Sequence, residues 1–97
     1  MLNSRQRAQL RGMANRLETI FQVGKAGVSE QLIKQVDETL TARELIKLRT
    51  LDTSPEGARS AADKIAGAVG ADVVQVIGSR FVLYRPNPEQ PQIVLVR

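Results

Sequence analysis

The strongest constraint on this chain is a change of period around four residues. Thr19 to Val23 is a β-branched and aromatic run. Gly24-Lys25-Ala26-Gly27 follows it, and Val28, Leu32, Val36 and Leu40 then recur every four positions. The first pattern builds a strand and the second builds one face of a helix, with Ile33 widening the stripe. Only a tight turn fits between them. Ser29 is placed to cap the helix, and Val28 and Ile33 have the spacing of a hydrophobic staple. Glycine permits a close approach to the loop backbone, and a helix start presents unpaired N–H groups. With Lys25 beside them, these features suit a phosphate oxygen.

The flanking segments extend the pattern. Asn3 or Ser4 can cap a first helix running to about Leu17, with Leu10, Met13, Ala14 and Leu17 on one face. Arg7 and Arg11 lie beside that stripe, and Arg5 and Arg16 lie on the other flank. Glu44 to Leu51 reads as a strand with Ile46 and Leu48 on one face and Lys47 and Arg49 on the other. Ser54-Pro55 has the form of a capped helix start with proline first. A small-residue stripe of Ala58, Ala61, Ala62, Ile65, Ala66 and Val69 follows, and Gly70 stops it. Val73 to Ile77, Gly78-Ser79, and Phe81 to Arg85 form a hairpin. Pro86 and Pro88 end the regular pattern, and Ile93 to Val96 is an added edge strand or a loose tail.

Helix, strand, helix, strand, helix, strand, strand is therefore the expected order. It implies a two-layer α/β domain, residues 1–97, with a mixed four-stranded sheet and a β-α-β-α-β-β core behind an N-terminal helix.

Composition narrows the chemistry. The 97 residues contain no cysteine and no histidine, so thiolate ligands, disulfides and the usual general base are absent. The adjacent carboxylates Asp37 and Glu38 point in different directions on a helix. No catalytic residue, metal site or cofactor site is assigned. The loop lacks the glycine spacing of a nucleotide-triphosphate loop and of a dinucleotide fingerprint. No run approaches the roughly 18 apolar residues that mark a membrane span. The first 17 residues are arginine-rich and acid-free, like a transit peptide. Their core-facing stripe argues instead for a folded helix, and a cytoplasmic location and a monomer are the default expectations.

Fourteen lysines and arginines against ten acids give a net charge of +4, a modest bias toward polyanions. A short GxxG loop is the device that holds nucleic-acid backbone in the KH module. A strand-to-helix turn also needs glycine for conformation alone, so the loop by itself leaves both readings open. Only three aromatic residues, Phe21, Phe81 and Tyr84, are present, too few for a base-stacking sheet.

MLNSRQRAQLRGMA, QVGKAG, ELIKL and VQVIGSRFVLYRP together resemble the CRM domain (chloroplast RNA splicing and ribosome maturation), in its single-domain bacterial YhbY-type branch. The resemblance implies a fold similar to the C-terminal domain of translation initiation factor three. It also implies a non-catalytic RNA-binding role on precursors of large-subunit ribosomal RNA during ribosome assembly. The RNA-binding residues it implies are Gly24, Lys25, Ala26 and Gly27 of the loop, Arg5, Arg7 and Arg11 of the first helix, Lys47, Arg80 and Arg85. Glu18 and Thr19 stand where members often carry lysine and proline, which predicts a narrower basic footprint at that edge. The alternative is a protein-interaction module docking on a ribosomal protein or maturation enzyme through the edge near Ile93 to Val96.

Overall fold

The structure is a computed structural model and describes residues 2–97. The elements run α1 (Ser4–Ala14), β1 (Thr19–Val23), α2 (Glu30–Arg43), β2 (Leu45–Thr50), α3 (Ala58–Val69), β3 (Asp72–Ile77) and β4 (Arg80–Tyr84), in the expected order. The strands lie side by side as β1-β2-β4-β3. β1 is parallel to β2, and β4 is antiparallel to both β2 and β3.

Each face of the sheet has its own core. Val23, Ile46, Leu48, Phe81 and Leu83 pack under the apolar stripes of α2 and α3. The alanines of α3 bring that helix close. Leu45, Val74, Val82 and Tyr84 face the other way and meet Leu10 and Ala14 of α1. The two-layer body therefore carries a partial third layer. α1 is short and covers only the end of the sheet where β2 begins and β4 finishes. By the period of two, Lys47, Arg49 and Arg80 share the α1-side face but lie beyond the helix, as does Gln75, which pairs with Val82 next to a bulge in β3.

Several expected boundaries move. Asn3 caps α1 in a reciprocal box with Gln6, their bonds measuring 2.8 and 3.1 Å. α1 stops at Ala14, not Leu17, because Arg16 and Leu17 turn back onto Met13 and Ala14 in tighter i→i−3 bonds. Leu17 still packs on the α1-side core, whereas Met13 is exposed. Ser54 does not cap α3. Its hydroxyl bonds locally to Glu56, and the helix begins at Ala58 behind Gly57. Pro55 instead braces the GKAG loop.

Glu44 is not a strand residue. It ends α2 with φ +65°, and its side chain is completely buried. Its carboxylate accepts from the backbone N–H of Asn87, Gln92 and Ile93 at 2.6 to 2.8 Å. The last segment is thereby tied down, and it is neither an edge strand nor a loose tail. It lies against α1, with Gln9 bonded to Val94 and Val96 and Gln6 bonded to Val96. Ile93 and Leu95 pack against the α1-side core.

Candidate nucleic-acid interface

The GKAG segment is a closed turn in which the Gly27 N–H donates to the Gly24 carbonyl at 2.9 Å. Its two glycines have different reasons to be there. Gly27 has φ +70°, and a Cβ added to it would lie 3.0 Å from Pro55 Cγ. Fold geometry alone requires glycine at that position. At Gly24 a Cβ would meet only ordinary contacts, 3.6 Å to Leu51 Cδ1 and 4.0 Å to Thr53 Oγ1. Fold geometry does not demand Gly24. Lys25 and Ala26 are exposed at the tip. Ser29 caps α2 by accepting from the Leu32 N–H at 3.1 Å. Glu30 stands in the first turn of α2, where an acid complements the helix dipole.

Glu56 is the acid beside Gly27. Its carboxyl is held below the usual carboxylate range by the Ser60 hydroxyl and by Lys64, whose Nζ lies 3.0 Å from Oε2. The carboxylate beside Gly27 is therefore locally paired.

Gln22 connects the loop to the sheet. It lines the groove formed by Gly24 to Gly27 and the start of α2. With its amide oxygen turned toward Arg49, it accepts from Nε at 3.3 Å and Nη2 at 3.1 Å. Arg49 lies directly across the β2–β4 ladder from Arg80. The Thr50 N–H donates to the Ser79 carbonyl at 2.7 Å, which pins the hairpin tip beside β2. Lys47 is two residues from Arg49 on the same face, roughly 6.6 Å along the strand. Lys47 also lines two shallow grooves. One contains Asn15, Gln75, Ile77 and Arg80, and the other contains Arg16, Glu18 and Arg43.

The structure thus gathers the GKAG loop, Lys47 and Arg80 into one strip, joined through Gln22 and Arg49. Among the described residues the only ion pairs are Lys64–Glu56 and Arg85–Asp37, so the cations of this strip have no carboxylate partner. The other expected site residues lie elsewhere. Arg7 Nη1 donates to the Val73 carbonyl at 2.6 Å and guards the edge of β3. Arg11 is half-buried one turn further along that flank, and helical spacing puts exposed Arg5 on the solvent-facing back of α1. Arg85 is a clamp. It bonds Asp37 and Thr41 of α2 and the Val69 carbonyl of α3. Arg49 was visible in the alternation of ELIKLRTL, whereas the linking role of Gln22 left no pattern in the sequence.

No helix among the described residues is long and apolar enough to cross a membrane, and no cluster of acids there has the makeup of a metal site.

These features define a class: a small mixed α/β domain with a glycine-flanked β–α turn beside a half-open, cation-lined sheet. The chain belongs to the CRS1/YhbY (CRM) domain family, whose profile matches residues 2–85. It is 42% identical over 95 residues to a Bacillus subtilis protein named Probable RNA-binding protein YqeI, covering 98% of this chain and 99% of that one. A Haemophilus influenzae protein named RNA-binding protein is 31% identical over 88 residues, covering 91% and 89%. The solution structure of a hypothetical Staphylococcus aureus protein superposes with a TM-score of 0.82 at 41% identity, covering 99% of this chain and all of that one.

Proposed function

We propose that this protein binds RNA without catalysis, gripping the sugar–phosphate backbone along the strip from Lys25 through Arg49 and Arg80 to Lys47. One observation carries the reading. Arg49 and Arg80 are opposed across the ladder with no carboxylate partner among the described residues. Directly opposed like charges destabilise a sheet, and a bound phosphate relieves that repulsion. The exposed turn next to them can approach a backbone closely at Gly24. The names of the relatives agree with this chemistry.

Within that reading, the RNA is a precursor of large-subunit ribosomal RNA, met in the cytoplasm during ribosome assembly. The family resemblance supports this choice. Crosslinking in cells followed by sequencing of the attached RNA tests it. Reads concentrated on immature large-subunit RNA are expected. Reads spread over messenger or transfer RNA would redirect the assignment. The alternative of strand pairing near Ile93 to Val96 loses its motive, because that segment is tied to α1 and Glu44.

A further inference from the structure

The strip has one part that phosphate recognition does not use. At the end of α1, Asn15, Lys47, Gln75, Ile77, Arg80 and Val82 line a shallow recess of about 140 Å³. It is too small for a drug-sized ligand but has room for a single planar ring. Ile77 is 64% exposed, an apolar surface set among cations. The side-chain amides of Asn15 and Gln75 make no hydrogen bond among the described residues other than those available to solvent. Each offers a donor and an acceptor. A phosphate would use only the cations. A base-paired helix is met mainly through its shape, 2′-hydroxyls and phosphates. An unpaired base would use the whole set: a ring face on Ile77, a polar edge on the amides, and flanking phosphates on Lys47 and Arg80.

We infer that this recess holds one unpaired nucleobase of the bound RNA, with Asn15 and Gln75 reading its edge. Carboxamides match the donor–acceptor edge of adenine best. The inference rests on the RNA-binding reading and adds the kind of RNA feature the protein selects.

The test compares two RNA stems of equal charge, one fully paired and one with a single bulged adenosine, by fluorescence anisotropy with the full chain. Wild type is expected to favour the bulged stem about tenfold. Gln75→Ala and Asn15→Ala are expected to reduce that preference below about threefold and leave affinity for the paired stem unchanged. Both positions lie outside the cores, and circular dichroism verifies the fold. Equal wild-type affinity for the two stems overturns the recess assignment and leaves the strip intact. A preference that survives in both variants also overturns it, because the base is then read elsewhere. Absence of binding to either stem overturns the RNA-binding reading and this one with it.

Discussion

Two glycines three positions apart separate fold from function at the level of single residues. Gly27→Ala places a Cβ at φ +70° and against Pro55, so it should lower stability by about 1–2 kcal/mol, measured by urea denaturation. Gly24→Ala meets only ordinary contacts and should change stability by less than about 0.5 kcal/mol. Its effect should instead fall on RNA affinity, with a severalfold loss. If Gly24→Ala binds RNA like wild type, the backbone is not approached there. Glu44 gives a second single-residue test. Burial pushes its carboxyl up, but the N–H donors of Asn87, Gln92 and Ile93 outweigh burial and hold it below its ordinary value of 4.5. A lowered value means the carboxylate's contribution is present above the ordinary value and is lost as pH falls through the folded one. The protection factors for amide exchange at Gln92 and Ile93, taken against the intrinsic rate at each pH, should therefore be high at pH 7 and fall in acid below that ordinary value. Glu44→Gln should abolish the protection at neutral pH, and unchanged protection in that variant would contradict the anchoring role.

At the scale of elements, two cations, Arg85 and Lys47, have opposite duties. Arg85 ties the end of β4 to α2 and α3, and its guanidinium donates to Asp37, Thr41 and the Val69 carbonyl. Arg85→Ala should cost about 1–3 kcal/mol of stability and leave RNA affinity of the folded protein unchanged. Lys47→Ala should show the reverse. Urea denaturation and a binding titration on both variants check the pair. This is also where the sequence stopped being informative. Alternation in ELIKLRTL put Lys47 and Arg49 on one face, and the stripes of α2 and α3 were legible because burial follows period. The limited cover given by α1, the capping by Glu44 and the strapped tail were not legible. They depend on contacts between residues 43 to 90 positions apart, which no local period encodes. Ser54-Pro55 misled for a related reason: its local form suits a helix start, but Pro55 is taken up in bracing Gly27.

For the whole molecule, charge is distributed by face. Lys64 on α3 is paired with Glu56, whereas Lys47, Arg49 and Arg80 are concentrated on the half-open side of the sheet with no ion pair among the described residues. A net charge of +4 becomes meaningful through this asymmetry. Displacing condensed cations from RNA makes affinity fall with salt, with a slope of roughly 0.7–0.9 per phosphate contacted. The salt dependence of the dissociation constant for ribosomal RNA is therefore the most direct measure, taken for wild type, Lys25→Ala, Lys47→Ala, Arg49→Ala and the control Arg59→Ala. Each strip variant should flatten the slope by about one contact, and Arg59→Ala should match wild type. Identical slopes for all five proteins, or a control that flattens as much as the strip variants, would contradict a phosphate-gripping face.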